Sequence, residues 1–384
     1  MLTDTTLRLV ILSMQRSLVL SLFLVFAGAA QSISITDKSE LILSDPLTVR
    51  WRYESTVTLN LTPAADNDRL YLPLAGGIIV ALNARDGQLL WRSEIGGELS
   101  ASPIADDSAI YVASEILNKE GQTKSAGVIR AIGREGGVTQ WLTPLIQPLR
   151  GGITVSGQKL FAGGGDGRAY AFDKKTGGVF WSIPFSSPFS GRPIADGNRV
   201  YFGCEDGTLL ALDASTGKQL WRYRTKGAVR GSVAVAGGDV FFGSADGYVY
   251  ALHADNGRLD WRKRTGGGVE AVLLSGDSLL VASLDNFAYF LSLKGSMHWK
   301  RLLPGRISAQ PLALEEAALF TPLSTSTAVV LALKDGKQVN TLPAGEEMTS
   351  SAAPVVVGDA VFLTTEHSVV AFARPPESSP GKPQ

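Results

Sequence analysis

Residues Gly207 to Trp221 read GTLLALDASTGKQLW: a run of alternating apolar residues, a turn at Ala214-Ser215-Thr216-Gly217, and a second short run ending in tryptophan. Alternation of period two is the pattern of a half-buried strand, and a glycine-containing break between two such runs is hairpin chemistry. The string recurs as GIIVALNARDGQLLW (Gly77 to Trp91), GVIRAIGREGGVTQW (Gly127 to Trp141), GRAYAFDKKTGGVFW (Gly167 to Trp181) and GYVYALHADNGRLDW (Gly247 to Trp261). One copy is a hairpin; five copies are an architecture.

All seven tryptophans, Trp51, Trp91, Trp141, Trp181, Trp221, Trp261 and Trp299, fall in one slot of this repeat, separated by 40, 50, 40, 40, 40 and 38 residues. An eighth slot follows in ALKDGKQVN (Ala332 to Asn340), where Asn340 replaces the tryptophan. Ahead of each core string lies an apolar run such as NRVYFG (Asn198 to Gly203), and ahead of that a further short one such as RPIAD (Arg192 to Asp196). Four short strands per roughly forty residues describe one propeller blade. Trp51 has no core string before it and HSVVAF (His367 to Phe372) has no tryptophan strand after it, so each end supplies what the other lacks. The expected fold is an all-β, eight-bladed propeller over 47–373, closed by pairing of the N- and C-terminal strands, which removes the open sheet edges that invite aggregation. The tryptophans are read as core, sandwiched between sheets with each indole N–H on a backbone carbonyl. The glycine four residues before each, such as Gly177 and Gly217, is read as a turn position with positive φ.

The rest of the chain is of other kinds. Arg16, an apolar run from Ser17 to Phe26 and the small residues Ala27 to Ala30 read as a secretory signal peptide over 1–29, with Met14 an alternative start. Residues 30–46 read as a linker, and the Pro- and Ser-rich 374–384 as a disordered tail. Lys plus Arg balances Asp plus Glu at 36 each, which offers no electrostatic footprint for nucleic acid or an anionic membrane. The lone Cys204 permits no intramolecular disulfide, and His253, His298 and His367 make no metal-ligand spacing. The Asp-Gly pairs at 166–167, 206–207 and 246–247 repeat every 40 residues, which is turn chemistry. No catalytic, cofactor or metal residue is expected. The ten extra residues between Trp91 and Trp141 lie in SEILNKEGQTKSAG (Ser114 to Gly127), a loop insertion on one face of the ring.

The repeat A-[LF]-D-x-x-T-G-x-x-x-W, as it stands at Ala171 to Trp181 and Ala211 to Trp221, resembles the pyrroloquinoline quinone (PQQ) propeller repeat over about residues 47 to 373. One branch of that superfamily, the quinoprotein dehydrogenases, implies a longer chain with an adjacent cysteine pair and a calcium set. The other, the family of the outer-membrane assembly factor BamB, implies an exported, non-catalytic ring of nearly this length that binds the periplasmic domains of BamA. That family's Leu-x-Leu-Arg-Gly partner loop is matched in part by Gln147-Pro148-Leu149-Arg150-Gly151, and a second Arg-Gly string stands at Val229-Arg230-Gly231. The resemblance therefore implies a monomeric protein-binding scaffold of the periplasm or the periplasmic face of the outer membrane, with Leu149, Arg150, Gly151 and Arg230 as partner contacts. No cysteine follows the signal region for lipidation. The alternatives are a PQQ-dependent dehydrogenase and an extracellular ligand-binding propeller.

Overall fold

Each short apolar run becomes a strand and each Gly- or Asp-containing break a tight turn. In the computed structural model, which describes residues 41–116 and 126–375, the described chain holds 32 strands and no helix. The strands form eight four-stranded antiparallel sheets, the blades of a propeller. The expected signal peptide, the first part of the linker, most of the 114–127 insertion and nearly all of the tail lie outside the described residues.

Blade 4 shows the plan. Ile194–Asp196, Arg199–Gly203, Thr208–Asp213 and Gln219–Arg224 pair in chain order, with Tyr201 opposite Ala211 and Ala211 opposite Trp221. Blades 1, 2, 3, 5, 6 and 7 follow it, with first strands Ala64–Ala65, Glu98–Ala105, Leu149–Ser156, Val233–Ala236, Val269–Ser275 and Leu312–Ala313. The first strands of successive blades touch one another from blade 8 through blade 6, which puts them innermost, and the fourth strands form the rim. A register shift recurs just before the tryptophan slot between third and fourth strands, at Ala211/Leu212 in blade 4 and at the same point in the other blades. Such a bulge bends the strand and re-aims one side chain; here it stands at the tryptophan slot, whose indole reaches the following blade.

Eight apolar clusters fill the eight gaps between neighbouring blades. The second strands supply the bulkiest fully buried rings, among them Tyr71, Tyr111, Phe161, Tyr201, Phe241 and Phe362. A blade is thus two apolar faces around a backbone ladder, and it is stable only between two others.

The tryptophans lock the gaps. Each indole N–H donates to a backbone carbonyl of the following blade: Trp51 to Ala84 (3.1 Å), Trp91 to Arg134 (2.6 Å), Trp141 to Lys174 (3.1 Å), Trp181 to Ala214 (3.3 Å), Trp221 to Ala254 (2.9 Å), Trp261 to Leu293 (2.9 Å) and Trp299 to Leu333 (2.6 Å). The ring lies flat on the turn glycine of that same following blade. A Cβ on Gly257 would sit 2.6 Å from Trp221, and one on Gly217 2.7 Å from Trp181. These glycines hold positive φ, 71° at both. The turn glycine therefore serves two needs, left-handed backbone and close approach.

At the last junction the pattern changes. Thr48–Glu54 pairs with Ser368–Ala373 to complete blade 8, Trp51 facing Ala371, and the Arg50 guanidinium grips Asp359 with contacts of 2.8 and 2.5 Å. No turn joins these two strands, since they come from opposite ends of the chain. Asn340, in the tryptophan slot of blade 7, instead donates to the carbonyls of Leu43 (3.0 Å) and Asp45 (2.6 Å). The described end of the segment read as a linker is thereby held: Leu41 and Leu43 are buried between blades 7 and 8, and Arg374 pairs with Asp45 at 2.7 Å. Two alternating leucines give 41–46 an apolar face that an open linker would leave in water.

Candidate protein-binding face

Antiparallel order sorts the connections. First-to-second and third-to-fourth turns lie on one face of the ring, second-to-third turns and the links between blades on the other. The tryptophan docking uses the third-to-fourth turns and belongs to the first face. The opposite face carries the described ends of Ile110–Ile116 and Ala126–Ile132, the second and third strands of blade 2, together with the links holding Leu149, Arg150, Gly151 and Arg230.

Leu149 does not reach the surface. It is fully buried in the cluster between blades 2 and 3, beside Leu145 and Ile153. Its repeat position is occupied by Phe189, Val229, Val269 and Ile307 in the next blades, all buried, so the leucine expected to meet a partner anchors the link instead. The exposed apolar residue of this link is Ile146, 71 % exposed.

The arginines do reach solvent, and each is pinned across a blade gap. Arg150 meets Glu115 of blade 2 at 2.9 Å. Arg230 holds Glu205 of blade 4 through Nε (2.9 and 3.0 Å) and Nη2 (2.6 Å). This fork geometry is the strong form of the carboxylate–guanidinium bond; it holds the Glu205 carboxyl below its usual range and Arg230 above its own. Glu270 stands beside Arg230, and burial raises its pKa against that attraction. The links themselves are stiff. Gly151 has φ of 80°, and a Cβ on it would enter the Ser190 carbonyl. A Cβ on Gly191 would lie 2.7 Å from the Arg230 carbonyl. Backbone thus packs on backbone from blade 3 to blade 5, and the face is a rigid display.

The other residues weighed in the sequence have local roles. Asp166, Asp206 and Asp246 each accept the backbone N–H two residues on, at 3.0, 3.0 and 3.2 Å, and so shape their turns. His253 bonds Asp239 at 2.9 Å and His367 approaches Glu347 at 3.4 Å. Cys204 is buried, which pushes its thiol up to about 12.

The family model described as outer membrane protein assembly factor BamB matches residues 37–123, 125–265 and 211–379. Two proteins of that name share shorter stretches: that of Shewanella oneidensis is 29% identical over 118 residues, 29% of this chain and 27% of its own length. That of Yersinia pestis is 26% identical over 118 residues, 29% of this chain and 28% of its own. The matched stretch thus spans little more than a quarter of these relatives. Among solved structures, BamB from Moraxella catarrhalis superposes with a TM-score of 0.71 at 16% identity, covering 87% of this chain and 100% of that one. The computationally designed Ika8 protein gives 0.73 at 16%, covering 85% and 99%, and a europium-containing methanol dehydrogenase 0.70 at 12%, covering 85% and 93%. Those likenesses establish the propeller. Since the family model spans nearly the whole ring, the chain belongs to the outer membrane protein assembly factor BamB family of PQQ-type propellers.

Proposed function

We propose that this protein is a non-catalytic scaffold of the bacterial cell envelope, exported and active at the periplasmic face of the outer membrane in the assembly of β-barrel proteins, its partner being a BamA-like periplasmic domain. The family membership supports the setting. The observation that carries the binding reading is the face opposite the tryptophan docking, where Arg150 and Arg230 are exposed, each held by a half-buried glutamate and pre-positioned by blade-to-blade backbone contact, with exposed Ile146 on the link that leads to Arg150. Arginine beside an exposed apolar residue on a rigid frame is the composition of an interface anchor. Little entropy is lost when such groups meet a partner.

The test is capture from a detergent-solubilised cell envelope with tagged wild-type protein and the pair R150A/R230A. Recovery of a BamA-like barrel protein by wild type and its loss in the variant is expected, with unfolding lowered only by the modest worth of two solvent-facing ion pairs, about 0.2–1 kcal/mol each. Equal recovery by both removes this face from the account. Leu149→Ala is the contrasting control: it deletes a fully buried side chain, lowers stability by about 2–5 kcal/mol, and lowers capture only in step with unfolding.

A further inference from the structure

Arg192 stands at the inner edge of blade 4, just ahead of its first strand, and its surroundings differ from those of the same position in blades 1, 2 and 5. There Thr62, Ser102 and Ser232 reach sideways to the backbone of a neighbouring blade: Thr62 Oγ1 accepts from Ala353 N (3.0 Å), Ser102 Oγ from Thr62 N (3.2 Å), and Ser232 Oγ donates to the Val272 carbonyl (3.1 Å). Arg192 replaces this small hydroxyl with a guanidinium. It lies down over Gly152 of blade 3, where an added Cβ would come within 3.0 Å of its Nε and 3.2 Å of its own Cβ.

This guanidinium makes no hydrogen bond or ion pair with any described residue. Burial alone acts on it, pulling its pKa down, with no carboxylate close enough to pull it back. The arginines of the binding face each have a glutamate; this one, deeper in, has none. A guanidinium stays charged in protein, and this half-buried one keeps its nitrogens open to solvent without a counter-charge among the described residues. Arg192 keeps a partly exposed surface at the inner edge of the ring, so the missing partner can come from solution.

We propose that Arg192, seated over Gly152 at the inner edge of blades 3 and 4, is a binding site for a small oxyanion, a carboxylate or phosphate group taken by the guanidinium fork. The fork matches two oxygens of one such group, and the side-chain-free Gly152 leaves the arginine room to lie in place. The anion comes either free or as an acidic side chain of a bound polypeptide, and the site acts independently of the outer face.

The test is thermal unfolding of the full chain against inorganic phosphate, and separately glutarate, at constant ionic strength set with chloride. Wild type is expected to gain several degrees with saturation, a free anion being sufficient. The gain disappears in R192M, which keeps the stem and removes the charge, and falls in G152A, which pushes the guanidinium aside. Stabilisation by a short poly-glutamate peptide at concentrations where glutarate gives none, again lost in R192M, identifies the polypeptide source. An equal response of wild type and both variants to every probe overturns the proposal. Should R192M fold poorly, G152A and R192K decide it: R192K retains part of the gain if charge is what matters. Capture of the BamA-like partner by R192M at wild-type level shows that this result and that of the outer face are separate.

Discussion

Gly257→Ala tests the tryptophan docking by itself, provided it is paired with Gly237→Ala. Both glycines belong to blade 5 and both have positive φ, 71° at 257 and 59° at 237. Around Gly237 there is nothing within 4 Å of an added Cβ, whereas at Gly257 it would sit 2.6 Å from Cε3 and 2.7 Å from Cδ2 of Trp221. An alanine forced into the left-handed region costs about 1–2 kcal/mol, offset by several tenths to 1 kcal/mol from a stiffer unfolded chain. G237A should therefore lose about 1 kcal/mol. G257A bears the same backbone term and in addition displaces an indole by about 1 Å, which stretches its bond to the Ala254 carbonyl and disturbs its contact with Tyr201; an overpacked core site of this kind costs a further ~1–3 kcal/mol. Urea unfolding followed by tryptophan fluorescence measures both, and W221A supplies the cycle. Once the ring is gone, adding G257A should cost no more than G237A does. Equal losses for G257A and G237A in the presence of Trp221 would refute the double role assigned to the turn glycine.

Asn340→Ala should leave the carbonyls of Leu43 and Asp45 without their donor, costing about 1–3 kcal/mol and exposing the 41–46 segment to limited proteolysis before the blades; unchanged cleavage kinetics would contradict the clamp. The Asp106 carboxyl carries a pH signature: burial raises its pKa, but the Ser108 hydroxyl, Lys174 at 2.9 Å and the N–H groups of Ser108 and Ala109 outweigh burial and bring it down to about 2. A depressed carboxylate stabilises the fold above its unfolded pKa near 4, and that contribution is lost as pH falls from about 4 to about 2. Asp106→Asn should thus be less stable than wild type at pH 7, by about 1–2 kcal/mol at one pKa unit per 1.4 kcal/mol, and the difference should vanish near pH 2 in acid-titrated thermal melts.

The ring was legible because every blade repeats one decision. The alternation in Thr208–Asp213, the glycine at 217 and the tryptophan at 221 each carry their own physical reason, and eight slots of that kind leave one way to close. What sequence concealed lies between blades rather than within them. The glycine beneath Trp221 is Gly257, not the Gly217 four residues before it, because the indole packs into the gap toward blade 5 while Gly217 receives Trp181 of blade 3. Leu149 looks like a contact when read as part of a loop string; set against Phe189 and Val229 in the repeat frame it is core, and the repeat alone carries that comparison. The partners of Asn340 could not be read from the repeat, since they sit 297 and 295 residues away. Arg192 was equally hidden: nothing local says that a residue has no counter-charge.

The clasp between Thr48–Glu54 and Ser368–Ala373 fixes a timetable as well as a shape. A ribosome delivers the chain from its N-terminal side, so the earlier of these two strands waits, its edge unpaired, until the later one has emerged. Blades 1 through 7 can stack in the order they arrive, each on its predecessor, but the ring is a ring only on completion. During that interval the strand around Trp51 is an open edge in search of a partner, and its placing at the outer rim, flanked by Arg50 and Arg52, gives the waiting edge charge to resist a wrong one.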